Sequence, residues 1–232
     1  MILAALASLP GRPLEQVLRA LRPQVDALHV LLSPVYGVVP AYCDELCDVV
    51  LMPTIDPGSG GKFAWARTWQ GLYFACDDDI LYPPDYVARV TEQIGRWDGR
   101  AAVSCWGRTY PAQPRDFWDW LGEGSYRPAV PQGRWVNHLG TGALAFDTAL
   151  NLPDCWPTHN EEEIDFNVWA QHERLPLWLM ARPADWPARI PVDPAAPTLF
   201  KQAKATAFAA RNAGLAEIGR NGGWQVFRCA SS

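Results

Sequence analysis

The sequence predicts an α/β fold in which helices flank a mainly parallel central sheet. Over the first 105 residues, short apolar runs alternate with segments whose apolar residues recur at helical spacing. Alternation of strands and helices is typical of parallel sheets joined by right-handed crossovers. At 232 residues, 49% of them hydrophobic, the chain is long enough to bury a sizeable core.

Five strands are predicted in the first half of the chain. Each is a short apolar run, and the runs are ILAALA (2–7), ALHVLL (27–32), DVVLMP (48–53), LYFAC (72–76) and AAVSC (101–105). The segments between them predict a helix opened by Pro13, a short helix in VVPAYCDELC (38–47), a helix beginning near Lys62 and a helix starting at the prolines 83 and 84.

The second half of the chain is less regular. Residues 106–140 are rich in Trp, Pro, Gly and Arg and lack periodicity, which predicts an elaborated loop region. The segments that follow predict a strand, a helix, a strand and a C-terminal helix, in GTGALAF (140–146), EEEIDFNVWAQHE (161–173), LPLWLMA (175–181) and LFKQAKATAFAARNAGLAEIG (199–219). No internal repeat or linker between independent domains is evident.

The composition argues against several functional classes. A net charge of −5 is not that of a general nucleic-acid binder. No apolar stretch is long enough to span a membrane. The N-terminal apolar run is short, has no basic residue before it and ends at Pro-Gly-Arg, which favours a first strand over a signal peptide. The six cysteines lack metal-site spacing, so we expect reduced thiols in a cytoplasmic protein.

Three adjacent aspartates, Asp77, Asp78 and Asp79, follow the predicted fourth strand. In open α/β sheets, ligands bind outside the carboxyl ends of the strands, so these residues occupy a position suited to function. A hard divalent cation such as Mg²⁺ or Mn²⁺ would relieve the repulsion between the carboxylates and would also bind phosphates. The alternative is a solvated turn that caps the next helix.

A glycine-rich loop precedes this acidic segment. In IDPGSGGKFAWAR (55–67), three glycines allow a ligand to approach the backbone closely, and Lys62 stands where a helix N-terminus would favour anions. The spacing differs from that of a Walker loop. A flexible turn with a solvated lysine is the competing interpretation.

Two later segments also carry candidate residues. The predicted helix in NEEEIDFNVWAQ (160–171) places Glu163 and Asn167 on one face, and a carboxylate there could be a general base, although acidic residues are also common in first turns. The two glycines of GTGALAF suit close approach by a sugar or phosphate, and His138 lies just before them. Four tryptophans are candidates for stacking on sugar faces: Trp106, Trp118, Trp120 and Trp135.

In their order along the chain, these motifs resemble the glycosyltransferases of the GT-A fold, most closely the bacterial family 2 type that builds polysaccharide and lipopolysaccharide. The motifs are SLPGR, GGKFAWA, CDDDILYPPDY, GTGALAF and EEEIDFNVWAQ. The resemblance implies a Rossmann-like GT-A domain over residues 1–190, with a nucleotide-sugar half at about 1–105 and an acceptor half at about 106–190. Residues 191–232 would form a C-terminal helical extension.

The resemblance also implies roles for individual residues. The Asp-X-Asp motif of the family falls on the three aspartates, so that Asp79 would bind the metal, supported by Asp77, and Asp78 would contact the ribose or sugar. Arg12, Asp56 and Lys62 would lie near the nucleotide, and His138 is a further candidate metal ligand. The acidic pair of the acceptor helix matches Glu162 and Glu163, which makes Glu163 the expected base and Asp165 the reserve.

The implied reaction is a metal-dependent and inverting transfer of a sugar from a nucleoside-diphosphate sugar to an acceptor hydroxyl. Mn²⁺ or Mg²⁺ would be the cofactor, and a carboxylate would take the proton of the attacking hydroxyl. A retaining or metal-independent reaction stays open. The alternatives are a sugar-phosphate nucleotidyltransferase and a carbohydrate-binding relative without catalysis. The acceptor stays open among saccharides, lipid-linked sugars, proteins, small molecules and modified DNA bases.

Overall fold

The fold was analysed in a computed structural model that describes residues 1–121, 127–150, 152–153, 159–192, 204–206 and 208–230. Its α-helices are α1 (Leu14–Leu21), α2 (Ala41–Leu46), α3 (Tyr86–Arg96), α4 (Glu162–His172) and α5 (Ala209–Arg220). Short 3₁₀ helices cover Arg22–Gln24, Pro34–Tyr36 and Gly58–Phe63.

The described residues also form twelve β-strands. They are β1 (Ile2–Ser8), β2 (Ala27–Leu32), β3 (Val49–Leu51), β4 (Leu72–Cys76), β5 (Ile80–Leu81), β6 (Ala102–Ser104), β7 (Gly107–Arg108), β8 (Arg134–Val136), β9 (His138–Leu139), β10 (Ala143–Asp147), β11 (Leu177–Leu179) and β12 (Ala188–Arg189). The five strands predicted in the first half of the chain are therefore confirmed.

A central sheet of eight strands has the order β3-β2-β1-β4-β10-β6-β11-β8. β1 pairs in parallel with β2 and β4, β2 with β3, and β6 with β11, whereas β10 and β8 run antiparallel to their neighbours. Six of the eight strands thus share one direction. This confirms the predicted α/β fold with a mainly parallel sheet.

Helices cover both faces of this sheet. On one face, α1, α2 and α3 pack through residues such as Leu18, Cys43 and Val90, which are fully buried. The other face is covered by the Gly58–Phe63 turn and α4, where the rings of Phe63 and Phe166 stack with centroids 6.2 Å apart. The sheet is therefore buried on both sides, as parallel strands require.

The prediction of a helix beginning near Lys62 was wrong. The chain forms a 3₁₀ helix over Gly58–Phe63, which is followed by turns as far as Thr68. Three glycines in this segment weaken the preference for an α-helix. A Cβ added at Gly61 would stand 3.1 Å from Leu31, so the turn lies close against the sheet.

Residues 106–140 are more ordered than the sequence indicated. Where these residues are described, they contain β7, β8 and β9, and β8 forms the edge of the central sheet beside β11. β7 pairs with β9 in a separate two-stranded ribbon. Strands of two or three residues are too short to produce a recognisable alternation of apolar and polar side chains.

The predicted C-terminal helix is confirmed over α5, while its first part, residues 199–203, lies outside the described residues. α5 packs against α4, and Leu215 and Ile218 join a separate apolar cluster with Tyr110 and Phe117. Within the ranges that the structure describes, no helix has both the length and the apolar character needed to cross a membrane.

Candidate functional site

The carboxyl edge of the sheet brings most of the candidate residues together. β4 ends at Cys76, so Asp77 follows it at this edge. Because β10 runs antiparallel to β4, the glycine turn before β10 lies at the same edge, and the backbone N–H of Asp77 donates to the carbonyl of Gly142 over 3.0 Å. The acidic segment and the glycine turn, which are 65 residues apart in sequence, are thus in direct contact.

Arg12 holds two of the three aspartates. Its Nε donates to Oδ1 of Asp78 over 3.0 Å, and its Nη2 donates to Oδ2 of Asp79 over 2.8 Å. Both carboxylates are buried. Burial raises the pKa of Asp78 to about 6, even though Arg12 favours its charged form. The pKa of Asp79 is also raised, by burial and then by the neighbouring charge of Asp77.

Lys62 holds the third aspartate. Its Nζ lies 2.6 Å from Oδ1 of Asp77 and 2.9 Å from Oε1 of Glu162, and its side chain is only 3% exposed. Desolvation opposes the charge on Lys62, but the two carboxylates raise its pKa above the ordinary value. Desolvation acts to raise the pKa of Asp77, but Lys62, together with Arg189 and Arg12, favours the ionised form, so the pKa is lowered. Lys62 is therefore neither solvated nor at an open helix N-terminus.

Glu162 is the buried member of the acidic pair. Oε1 accepts from the hydroxyl of Thr141 over 3.1 Å as well as from Lys62, and Oε2 accepts from Ser59. The sequence singled out the Glu162–Glu163 pair but gave no role to Glu162. The structure makes this residue the link between the glycine-rich turn at Ser59 and the start of α4.

Glu163, the expected base, is more exposed than Glu162. Its Oε1 lies 3.5 Å from Nη2 of Arg108 and 4.0 Å from Nε2 of His138. Its Oε2 faces the glycine turn, where a Cβ added at Gly140 would stand 3.7 Å away. Asp165 is half-buried and lies two residues further along α4, about 200° around the helix from Glu163.

His138 lies beside Glu163 in a buried setting. Its ring packs against Tyr110 and Trp224, with centroids 5.4 Å and 6.2 Å away. Burial and the nearby cations, Arg108 first among them, hold the pKa of His138 well below its ordinary value, so the imidazole is neutral. His138 is thus a neighbour of Glu163, and its expected role as a metal ligand stays a prediction.

Asp56 belongs to a neighbouring loop. Its Oδ2 accepts from the hydroxyl of Ser33 over 2.6 Å, and its Oδ1 accepts from the backbone N–H of Gly58 over 2.7 Å. These bonds join the loop after β2 to the glycine-rich turn. Asp56 therefore shapes the carboxyl edge on the side where a nucleotide is expected.

Two residues at this edge were missed by the sequence reasoning. The side chain of Arg189, in β12, is 45% exposed, and its Nη1 lies 3.6 Å from Oδ2 of Asp79. Arg108 of β7 contacts two aromatic rings, with its Cζ 4.8 Å from the centroid of Phe117 and 4.7 Å from that of Trp120. Both arginines lie in segments without periodicity, and only the pairing of β12 with β5 brings Arg189 to the aspartates.

The four candidate tryptophans have different environments. Trp135 packs against Trp97 and Trp178 in the core cluster, which makes it structural. Trp106 is half-buried beside the glycine turn, since a Cβ added at Gly142 would stand 3.1 Å from its ring. Trp118 is 50% exposed and lies next to Trp120, with ring centroids 5.2 Å apart.

The donor atoms at this edge suit a hard cation chemically. Asp77, Asp78, Asp79 and Glu162 supply carboxylate oxygens, which Mg²⁺ and Mn²⁺ prefer. Three cationic side chains face these four carboxylates, so one formal negative charge is left over. Within the described part of the chain, no group of three His, Cys, Asp or Glu side chains surrounds a single point where a metal would sit.

The C-terminal segment reaches this region through α5. Arg211 donates to Oε2 of Glu161 over 2.7 Å and lies 4.8 Å over the ring of Phe117. The backbone N–H of Phe117 donates to the side chain of Asn212 over 2.8 Å. Phe117 therefore has Arg108 and Arg211 as neighbours, and α5 is joined to the surroundings of Glu163.

Comparisons with known proteins identify the fold. The chain matches no family model, and no curated protein matches it significantly. Among solved structures, a mannosyltransferase from Pyrobaculum calidifontis, PcManGT in complex with GDP-Man and Mn²⁺, matches with a TM-score of 0.60 and 15% identity, over 97% of this chain and 65% of its own. This chain thus spans less than two thirds of that enzyme.

A nucleotidyl transferase from Methanothermobacter thermautotroptrophicus matches with a TM-score of 0.51 and 16% identity, over 81% of this chain and 88% of its own. At such low identity, both likenesses show a shared fold alone. That fold is the α/β, Rossmann-like arrangement of the glycosyltransferase structure, as the sequence predicted.

Proposed function

We propose that this chain is a glycosyltransferase that moves a sugar from a nucleoside-diphosphate sugar to an acceptor hydroxyl. The observation that carries the proposal is the shared contact of Lys62, which joins Asp77 of the acidic segment to Glu162 of the acidic helix. Asp77, a candidate for binding the donor, and Glu163, the candidate base, thus lie on either side of the glycine turn before β10. The mannosyltransferase of similar fold, which binds GDP-Man and Mn²⁺, supports the same function.

In this proposal the donor lies across the carboxyl edge of residues 1–105. Asp77 and Asp79 would hold Mn²⁺ or Mg²⁺, which would screen the charge of the diphosphate when bound. Arg189 is exposed and lies beside Asp79, so it is the cation best placed to contact the leaving phosphate. Arg12 orients Asp78, which would bind the ribose or sugar. Asp56 shapes the nucleotide side.

The acceptor binds on the side formed by residues 106–190. Glu163 would take the proton of the attacking hydroxyl through Oε2, which faces the glycine turn, while Arg108 holds Oε1. Asp165 stays the reserve candidate. Attack on the face opposite the diphosphate would invert the anomeric configuration. Residues 191–232 would support the acceptor side through α5.

A turnover assay tests this proposal. The chain is incubated with Mn²⁺ and a panel of UDP-, GDP-, dTDP- and ADP-sugars, and release of the nucleoside diphosphate is measured. We expect release from at least one donor, its loss in Asp79→Asn, and a fall in kcat of about 10²- to 10⁴-fold in Glu163→Gln with little change in donor KM. Asp44→Asn, on the exposed face of α2, is the matched control.

A sugar-phosphate nucleotidyltransferase is the second candidate, because a nucleotidyl transferase also has a similar fold. Such an enzyme would release pyrophosphate from a nucleoside triphosphate and a sugar 1-phosphate. Pyrophosphate release when the chain is given a nucleoside triphosphate, a sugar 1-phosphate and Mn²⁺, without nucleoside diphosphate release from any sugar donor in the turnover assay, would replace the proposed function. Binding of a nucleotide sugar without either product would identify a non-catalytic carbohydrate-binding relative.

A further inference from the structure

Lys62 is the most deeply buried cation of the site. Its ammonium bridges Asp77, which follows β4, and Glu162, which is the first residue of α4. The two carboxylates come from opposite halves of the chain, and the ammonium is within hydrogen-bonding distance of both. An ammonium with a 3% exposed side chain has little access to a diphosphate, so phosphate binding does not explain its position.

The surroundings of Lys62 fix its position on the sheet. The hydroxyl of Tyr73, a fully buried residue of β4, donates to the backbone carbonyl of Lys62 over 2.7 Å. Gly61 has no room for a side chain, because a Cβ there would stand 3.1 Å from both Leu31 and Pro57. The backbone of Lys62 is therefore held against β2 and β4.

Glu162 is tied to the same point from the other side. Besides Lys62, it accepts from the hydroxyls of Ser59 and Thr141, which belong to the glycine-rich turn and to the glycine turn before β10. Asn167, one turn further along α4, donates to and accepts from the backbone of Leu139 over 2.8 Å and 2.7 Å. The start of α4, and with it Glu163, is thus positioned by buried polar contacts.

We propose that Lys62 is a positioning residue that fixes the position of the donor-binding carboxylates relative to the base. It holds Oδ1 of Asp77, which turns Oδ2 towards the glycine turn and Trp106, and it holds Glu162, which places Glu163 on the other side of that turn. The inference rests on the proposed function and gives Lys62 a role other than contact with the donor phosphate.

The physical reason is that the two carboxylates repel each other without the ammonium. Removing one partner of a buried ion pair leaves an uncompensated charge, whereas removing one positive and one negative group together does not. In the single variant Lys62→Met, a loss of binding could therefore come either from destabilisation of the fold or from loss of the positioning role. The double variant Lys62→Met/Glu162→Gln keeps the charge balance and isolates the positioning role.

The test compares Lys62→Met, Glu162→Gln, the double variant and a matched control. The control, Arg19→Met/Glu15→Gln, removes an exposed ion pair of 2.9 Å on α1. Each protein is assayed for thermal unfolding, for binding of UDP, GDP, dTDP and ADP with MnCl₂ by calorimetry, and for hydrolysis of the nucleotide sugar that the wild-type chain uses.

Lys62→Met/Glu162→Gln is expected to fold and to unfold at a higher temperature than Lys62→Met. Its affinity for the Mn²⁺–nucleoside diphosphate should fall about 10- to 100-fold, as is usual when a residue that orients a metal ligand is removed. Glu162→Gln keeps the Lys62–Asp77 contact, so its nucleotide affinity should stay near that of the wild type while kcat falls.

Two results would overturn the inference. One is wild-type affinity and wild-type kcat in a folded double variant. The other is a loss of nucleotide affinity in Glu162→Gln as large as that in the double variant. Removal of Glu162 would then account for the whole effect, and Lys62 would have no positioning role of its own. If the wild-type chain binds none of the four nucleoside diphosphates with MnCl₂, the proposed function itself fails, and that failure is recognised before any variant is made.

Discussion

Replacing Asp78 by asparagine should stabilise the chain above about pH 6 while weakening donor binding. Asp78 is 6% exposed, and burial raises its pKa from 3.8 to about 6. A difference of about 2 pKa units corresponds to about 3 kcal/mol that the folded chain loses when this carboxyl ionises. Asparagine carries no charge, and its side-chain oxygen can still accept from Arg12.

The sign of the effect follows from the direction of the shift. A carboxyl with a raised pKa in the folded state contributes no penalty below its unfolded pKa of about 3.8. The penalty then grows with pH and is complete above about pH 6. The stability advantage of Asp78→Asn over the wild type should therefore increase between about pH 4 and pH 6 and then level off.

Urea unfolding of the wild type and of Asp78→Asn at several pH values between about 4.5 and 7.5 measures this difference. Taking the difference between the two proteins cancels groups that titrate in both, such as Glu161, whose pKa is also raised by burial. Asp44→Asn controls for the loss of an exposed carboxylate. An advantage that shrinks as the pH rises, or an Asp78→Asn chain less stable than the wild type at about pH 7.5, would refute the reasoning.

Four further substitutions test the site and its support. Gly142→Ala would drive a methyl group into the carboxylate of Asp77, so we expect nucleotide affinity measured by calorimetry to fall at least about tenfold. Arg189→Gln should raise donor KM in the turnover assay about tenfold, because a cation beside Asp79 is lost; an unchanged KM would remove Arg189 from the site. Gly214→Ala should destabilise the chain by about 1–3 kcal/mol in urea unfolding, since its Cβ would come within 2.7 Å of an isoleucine of α4, whereas Gly95→Ala, with open space around it, should stabilise it by about 0.5–1 kcal/mol.

The sequence predicted the place of the aspartates because the signal is local. An apolar run that ends on Asp77 marks a strand end, and strand ends in such sheets face the ligand. The direction of β10 could not be predicted in the same way, because the alternation of residues in a strand carries no information on whether it runs parallel or antiparallel. That direction is what brings Gly142 to Asp77.

The environment of Lys62 was beyond the reach of the sequence for a related reason. Its two partners lie 15 and 100 residues away, and the glycines that precede it predicted either a ligand-binding loop at a helix start or a flexible turn with a solvated lysine. Arg108 and Arg189 were missed because they lie in irregular segments. Their positions depend on the pairing of β7 with β9 and of β12 with β5, strands of only two residues each.

The most direct test of the proposed donor site is a crystal structure of the chain with MnCl₂ and the nucleoside diphosphate that it binds. Anomalous scattering would locate Mn²⁺ without reference to the protein density. We predict Mn²⁺ within about 2.5 Å of carboxylate oxygens of Asp77 and Asp79, bridging to the diphosphate, with the phosphates near Arg189. Mn²⁺ and nucleotide bound elsewhere, with Asp77 and Asp79 still paired to Lys62, Arg12 and Arg189, would contradict the account.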